Sequence, residues 1–290
     1  MPTLDQASLE NGLFTMLKGE PGTRKSTCAL SYPTPQYWIS TDQKMEALNL
    51  PAKRWGVKMR DVHYDDYTDW QKPQAKLEKL QVNCDFRTIV VDSITSMGDA
   101  MTSQVRKMKQ KGGGGESKGK TIGGISVSGL EEFNAESGAF KDMIAMLKDI
   151  HKFHKVHIIL IAHVIGQRKD NEGDASTHHS RIIVTGAAQI SAKIASYVTE
   201  AYHFNITKGF NEDTGDSKFG LYTRHMGNDY ARTSLPLPTR IDFNDDPLYE
   251  KYILPAITQQ MKEKPIERIT QPTTTQPTTT TPSTSKPFTT

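Results

Sequence analysis

Short apolar runs alternate with helically spaced segments along most of the chain. We predict strands at residues 13–17, 36–42, 57–64, 86–93 and 156–163, and the last two runs are continuous enough for parallel strands buried on both faces. The spacing between the runs predicts helices at 26–30, 70–81, 94–108 and 137–153. Farther along, we expect a helix at 187–195 and then a hairpin, with strands at 197–206 and 219–223 and a turn at 211–216.

Two basic segments and the C-terminal end lack this periodicity. Residues 109–129 mix glycines with lysines and predict a flexible basic loop, and residues 167–180 are polar and unpatterned. Beyond Lys262 the composition turns to Thr, Pro, Ser and Gln, which cannot bury enough apolar surface to order a chain. We therefore expect one folded domain over residues 1–262, with an insertion at about 109–129, and a disordered tail over 263–290.

A glycine-rich turn directly follows the first apolar run and precedes the first predicted helix. It matches the phosphate-loop pattern G-x-x-x-x-G-K-[ST], except that an arginine stands at the second glycine. In such a loop, Lys25 reaches the β- and γ-phosphates and the Ser26 hydroxyl ligates Mg²⁺. Backbone N–H groups of the turn and of the helix start face the anion. The predicted nucleotide-binding residues are Gly19, Glu20, Pro21, Gly22, Thr23, Arg24, Lys25, Ser26 and Thr27.

Arg24 is the departure from the pattern. Its side chain must point away from the phosphates, because otherwise the loop is distorted. An ordinary Gly/Pro turn before a helix is the alternative interpretation, but it leaves Lys25 and Ser26 unexplained.

Acidic residues end two of the predicted strands, and a histidine ends a third. Asp42 and Asp92 are expected at the same edge of a parallel sheet as the loop, where Asp92 would hold Mg²⁺ from the side opposite Ser26. A strand-end aspartate is also a common helix cap, so that interpretation stays open for both. His163 closes the last apolar run. The other histidines, including the adjacent pair His178 and His179, are weak candidates for metal binding.

Composition limits the class of protein and of partner. The chain has 290 residues, 36% of them hydrophobic, and no apolar run approaches the ~18 residues of a membrane span. Its polar start does not resemble a signal peptide, and Cys28 and Cys84 lack metal-site spacing, so we expect core thiols in a reducing cytoplasm. A net charge of only +3 means that any DNA contact must be local. The candidate contacts are Lys107, Lys109, Lys111, Lys118, Lys120, Arg168, Lys169 and Arg181.

The order of these features resembles the RecA-like P-loop ATPases, and most closely the compact phage-borne group that includes single-strand annealing and recombination ATPases. The resemblance spans residues 12–254. Residues 92–95 are similar to the family's Walker B segment, residues 161–163 to its polar-ended sensor strand, and residues 186–194 to a segment before its penultimate strands. Arg224 and Arg232 are similar to late-strand basic residues that reach a neighbouring subunit's nucleotide.

The resemblance implies an α/β fold of the RecA-like P-loop NTPase type, with a central mostly parallel sheet, flanking helices and a C-terminal β-hairpin. It implies ATP and Mg²⁺ as ligands, assembly into rings or filaments, and loops that face single-stranded DNA in phage recombination or replication. A single-strand-binding protein stays open as a further partner, and the host cytoplasm is the expected compartment. The implied catalytic residues are Lys25, Asp42, His163 and Arg232, with Glu46 as the alternative to Asp42.

Two other functions stay open. One is an ATP-switched binding protein with weak hydrolysis and no nucleic-acid role, because Arg24 and Asp42 depart from the family pattern. The other is a motor of the replicative-helicase type, against which the lack of a fused second domain argues mildly.

Overall fold

Strands and helices alternate in a computed structural model that describes residues 12–111, 121–122, 125–126, 130–167, 179–182, 194–208, 218–225, 230–243 and 246–262. The strands are β1 (Phe14–Gly19), β2 (Gln36–Ser40), β3 (Val62–Asp66), β4 (Thr88–Asp92), β5 (Thr121–Ile122), β6 (Ile125–Ser126), β7 (His157–Gln167), β8 (His179–Ile182), β9 (Glu200–Lys208), β10 (Lys218–Tyr222) and β11 (Arg240–Phe243). The helices are α1 (Lys25–Leu30), α2 (Asn49–Trp55), α3 (Gln71–Val82), α4 (Ile94–Lys111), α5 (Leu130–His154) and α6 (Leu254–Lys262). A π-helical turn, Tyr249–Ile253, leads into α6.

One sheet organises the described part of the chain. Its strand order is β11-β10-β9-β1-β7-β4-β2-β3, and β8 pairs with the far end of β7. In this order, the strands from β9 to β3 run parallel, whereas β10 runs antiparallel to both of its neighbours, β9 and β11. The predicted α/β fold, with a central mostly parallel sheet, flanking helices and a C-terminal hairpin, is confirmed.

Side chains of β1 show how the sheet builds a core on each face. Phe14 and Met16 pack with residues of α3, α4 and α5, whereas Leu17 and Leu13, the residue just before β1, pack with residues of α1 and α6. Successive strand residues point to opposite faces, so a strand covered by helices on both sides needs apolar residues at every position. This is the physical reason for the continuous apolar runs.

Strand register brings the functional candidates to one edge. Gly19 at the end of β1 is paired with His163 of β7, and Ser40 at the end of β2 is paired with Asp92 at the end of β4. The carboxyl ends of parallel strands meet at the same sheet edge, which is the usual ligand-binding edge of α/β folds. The predicted clustering of these strand ends is therefore confirmed.

Several predicted boundaries are wrong. Helix α4 extends to Lys111, and β5 and β6 form a short antiparallel pair inside the segment predicted as loop. Strand β7 continues past His163 to Gln167 and pairs with β8, so Arg181 lies on a strand rather than in a loop. The third strand begins at Val62, well after the predicted start. Residues 183–193, which include most of the predicted helix at 187–195, and the tail at 263–290 lie outside the described residues.

Helix length and polarity bear on membrane insertion. Among the described residues, no helix combines the length and the apolar character that crossing a bilayer requires.

His157, at the start of β7, makes a stability prediction possible. Its ring Nδ1 accepts a hydrogen bond from the Leu13 backbone N–H at 3.2 Å, and the rings of Tyr32 and Tyr249 pack edge-on against it. Burial, with smaller effects of His151 and Arg87, lowers the pKa of His157 to about 4. The unfolded chain therefore binds more protons than the folded protein between pH 6.5 and 4.

We expect the free energy of unfolding to fall as pH drops through this window, with a contribution from His157 of up to about 3 kcal/mol. His157→Asn keeps an oxygen that can accept the Leu13 N–H but cannot titrate. Urea unfolding at several pH values should show a flatter acid limb for this variant than for the parent protein. Glu136, whose pKa burial raises to about 7, contributes the opposite slope to both proteins and so does not affect the comparison. Identical slopes would contradict the role of His157.

Candidate functional site

The loop between β1 and α1 is built from positions that tolerate little change. A Cβ on Gly19 would lie 2.5 Å from the Phe204 carbonyl oxygen of the adjacent strand β9, so only glycine fits there. Gly22 has φ +80°, in the left-handed region that glycine adopts without strain. Within the loop, the Thr23 hydroxyl donates to the Glu20 carbonyl at 2.8 Å. The turn is thus closed tightly over the start of α1.

Arg24 occupies the position of the missing glycine and keeps the backbone conformation that a glycine would have. Its φ is 66°, and it caps α1 without a side-chain hydrogen bond. The guanidinium lies over the Phe219 ring of β10, with its carbon 4.3 Å from the ring centroid. The loop geometry therefore survives the substitution, because the side chain is directed towards the hairpin.

Lys25 is buried, with only 4% of its surface exposed. Its Nζ donates to the carbonyls of Gly19 at 2.9 Å and Glu20 at 2.7 Å, and lies 3.4 Å from the Thr23 hydroxyl. Burial lowers the pKa of Lys25 to about 8, although Asp92 and two other carboxylates act in the opposite direction. The amine is held inside the curve of the loop, where a phosphate would have to sit.

Ser26 and Asp92 face each other across the loop. The Ser26 hydroxyl is hydrogen-bonded to the Asp92 carboxyl, and burial raises the pKa of Asp92 to about 6 despite that bond. No group of three or more His, Cys, Asp or Glu side chains within the described residues could hold a metal alone. One hydroxyl and one carboxylate suit Mg²⁺, which usually keeps waters and shares substrate phosphates. This donor set fits a magnesium nucleotide rather than a permanently bound ion.

Asp42 is the centre of a hydrogen-bond cluster at the same edge. Its Oδ1 accepts from the hydroxyls of Ser93, at 3.1 Å, and Ser96, and its Oδ2 lies 3.1 Å from His163 Nε2, whose N–H donates to it. Burial opposes ionisation of Asp42, but the bonds from His163 and the two serines outweigh it and hold the pKa at about 2. The carboxylate is therefore ionised at neutral pH and fixed on both oxygens.

Backbone bonds hold the cluster in place. Thr41 N–H donates to the Asp92 carbonyl at 2.7 Å, and the Thr41 hydroxyl both donates to the Ser93 carbonyl and accepts from the Ser93 N–H. The backbone N–H of His163 donates to the Thr95 hydroxyl at 3.0 Å. The ends of β2 and β4, the start of α4 and the middle of β7 are consequently tied together around Asp42.

A cavity of about 240 Å³ opens beside the loop. Arg24 and Thr27 border it from the loop side, and α2 together with the turn before it supplies the remaining wall. Those residues are Ala47, Leu50, Pro51, Arg54 and Trp55. The cavity is large enough, and apolar enough on the α2 side, to take an organic group attached to a phosphate in the loop.

The remaining predicted residues lie elsewhere. Arg232 is exposed, bridges Ala201 and donates to the Val198 carbonyl, so it lies by the first half of β9, away from this chain's own loop. Arg224 is also exposed. Glu46 is exposed and borders a separate cavity, with Met59 and Tyr64, near β3.

The predicted DNA-contact residues lie in or next to the two basic segments. Lys107, Lys109 and Lys111 lie on the last turns of α4, and Arg181 lies on β8 opposite Ile165. Lys118, Lys120, Arg168 and Lys169 lie outside the described residues.

Sequence reasoning missed most of the groups that surround Asp42. Ser93 and Ser96 are three residues apart at a helix start and so share a face, a signal that could have marked them. Thr95 belongs to the segment 92–95 that resembles a Walker B motif, but its bond to His163 and the role of Thr41 depend on contacts between distant parts of the chain and gave no signal. The same holds for the Phe219 ring under Arg24.

Comparison with known proteins identifies a family. A family profile described as an AAA domain matches residues 12–226, which include the loop, both aspartates and His163 but not Arg232. No curated protein matches the sequence.

Proposed function

Because the chain belongs to the AAA domain family, we propose that it binds Mg·ATP at residues 19–27, hydrolyses it, and couples this cycle to single-stranded DNA. One observation carries the nucleotide assignment. The buried amine of Lys25 lies inside a tightly closed loop, directly beside the Ser26 and Asp92 pair. A carbonyl-bound ammonium, loop amides and a Mg²⁺ donor pair are the groups that phosphoryl transfer requires.

Each residue of the site has a distinct task in this proposal. Lys25 exchanges at least one loop carbonyl for a phosphate oxygen. Ser26 and Asp92, which are hydrogen-bonded to each other, would hold Mg²⁺, and the ion would neutralise part of the charge of the phosphates. Asp42, ionised and fixed on both oxygens, orients the attacking water as a hydrogen-bond acceptor. A carboxylate with a pKa of about 2 is a weak general base, so slow hydrolysis is expected without a further activator.

Continuity of the chain supports the coupling to DNA. The α4 helix begins at the serines that bind Asp42 and ends at Lys111, whereas β7 carries His163 and continues into the β7–β8 pair that bears Arg181. Both basic segments are thus direct extensions of elements held by Asp42. A change at the nucleotide can reach either segment through a single helix or strand. Lysines supply phosphate contacts without reading sequence.

The finer role in phage recombination or replication rests on the resemblance to the compact phage-borne group, as does assembly into a ring or filament. Arg232 lies away from its own loop, which fits a role in completing a neighbouring subunit's site. The low pKa of Asp42 favours the rival function, an ATP-switched binding protein without a nucleic-acid role, because a weak base implies slow hydrolysis.

We expect single-stranded DNA to raise the steady-state rate of ATP turnover. A coupled-enzyme assay with and without an oligonucleotide separates the proposals, since an ATP-switched protein without a nucleic-acid role shows no stimulation. A variant with glutamine at five lysines should bind DNA more weakly, and the slope of log affinity against log salt concentration should become shallower by up to about 3.5. The five positions are Lys107, Lys109, Lys111, Lys118 and Lys120.

The matched control removes the same charge from five exposed lysines elsewhere. These are Lys58, Lys72, Lys79, Lys152 and Lys155. Equal DNA affinity and salt slope in the parent protein and the first variant, or equal losses in both variants, would show that the α4 segment is not the DNA site.

A further inference from the structure

Arg24 is an unusual residue for its backbone conformation. At φ 66° a side chain is disfavoured, and the matching position of the phosphate-loop pattern is a glycine. This chain has an arginine there, and its guanidinium lies over a ring of another element rather than being directed into bulk solvent. A residue that is strained locally and fixed by a distant partner is a candidate for a role in binding.

Phe219 fixes the guanidinium. The ring is 8% exposed, lies 4.3 Å below the guanidinium carbon, and packs in turn against Phe243 of β11. A guanidinium stacked on an aromatic ring is pre-organised, because its flat face is set by the ring beneath it. Phe219 therefore acts as a positioning residue for Arg24.

Arg24 also borders the cavity beside the loop, whose α2 wall consists of the apolar residues Leu50, Pro51 and Trp55 together with Arg54. A planar cation on one side and apolar side chains on the other are the surroundings in which proteins stack nucleobases. Lys25 is directed differently, since its amine binds carbonyls within the loop. The two neighbouring cations thus lie in different places, Lys25 inside the loop and Arg24 beside the cavity.

We propose that Arg24 binds the nucleoside end of the nucleotide, with its guanidinium, held on Phe219, stacking on the base in the cavity between the loop and α2. The proposal rests on the proposed function, because it assumes a phosphate group bound by Lys25. It assigns a binding role to a residue that stands where the loop pattern has none.

Arg24→Gly tests the proposal, because glycine adopts φ 66° without strain and leaves the loop backbone unchanged. Titration calorimetry would measure affinity for Mg·ATP and for magnesium tripolyphosphate, which has the phosphates without the nucleoside. We expect about tenfold weaker ATP binding and unchanged tripolyphosphate binding. Unchanged or tighter ATP binding would overturn the proposal, since relief of strain would then be the whole effect. Equal losses for both ligands would also overturn it, because the contact would then be to phosphate.

Two variants and one control sharpen the test. Phe219→Leu should show the same ATP-specific loss of affinity, but a smaller one. Arg24→Lys should lose affinity for ATP as Arg24→Gly does, because lysine keeps the charge but lacks the planar guanidinium. Arg240→Ala removes another arginine placed near an aromatic ring, 5.9 Å from Tyr222, and should change neither affinity. Full affinity in Arg24→Lys would overturn the stacking contact. A parent protein that binds neither ligand would overturn the proposed function itself, and this proposal with it.

Discussion

Replacing Lys25 with alanine is expected to abolish detectable ATP binding. The ammonium group is the side-chain cation that the loop places against the phosphates, and its Nζ lies within 2.9 Å of two loop carbonyls. Charge-assisted hydrogen bonds to phosphate contribute about 3 kcal/mol or more in a buried site, which is more than a hundredfold in affinity. Calorimetric titration with Mg·ATP measures the loss directly.

The control for this prediction must separate binding from folding. Lys25→Met keeps the buried aliphatic stem while removing the amine, so it should bind no better than Lys25→Ala but unfold at a temperature closer to that of the parent protein. Lys79→Ala, on the exposed face of α3, should bind as the parent does. Parental affinity in a folded Lys25→Ala protein would disprove the phosphate-loop assignment.

The parts of the fold that follow local patterns could be predicted from the sequence. Strands β4 and β7 contain continuous apolar runs, and β1 and β2 are largely apolar, because helices cover both faces of the sheet. The loop after β1 is recognisable as a short sequence motif. The placement of the acidic residues that follow β2 and end β4 at one sheet edge could be predicted from the geometry of parallel strands. These features need no knowledge of distant contacts.

Predictions failed where composition and tertiary contacts compete. Glycines and lysines led to a loop prediction for residues 109–129, although α4 continues to Lys111 and β5 pairs with β6 within that segment. The strand β11 is short and pairs with β10 through contacts that no local pattern specifies. A run of four residues with a charged residue at two positions is too weak a signal to be called a strand from sequence.

The partners of Asp42 illustrate the same limit within the site. Ser93 is 51 residues away and His163 is 121 residues away along the chain. Sequence reasoning placed Asp42 and His163 at strand ends but did not mark Ser93 as a partner, and it could not say that a single carboxylate binds both. That contact changes the chemistry, since it makes Asp42 a fixed and strongly ionised acceptor rather than a proton-accepting base.

Asp42→Asn is expected to retain Mg·ATP binding and to lose turnover by at least about a hundredfold. The amide has the same shape as the carboxylate but lacks its charge, and its N–H₂ would face a donor, either His163 Nε2 or the serine hydroxyls. Single-turnover hydrolysis with prebound ATP measures this step apart from binding. Asp92→Asn should in addition weaken the dependence of binding on Mg²⁺, because Asp92 faces Ser26.

The remaining question is whether Asp42 acts on water itself or only by holding His163. If Asp42 orients water directly and His163 only fixes Asp42, His163→Ala should lower turnover less than Asp42→Asn does, and the double variant should be as slow as Asp42→Asn. If Asp42 acts only through His163, both single variants and the double variant should share one rate. Glu46→Gln is the matched control, since Glu46 is exposed and borders a different cavity. Full turnover in Asp42→Asn together with loss of turnover in Glu46→Gln would assign the orientation of the attacking water to Glu46. The reaction would then depend on the charge of Glu46 and not on that of Asp42.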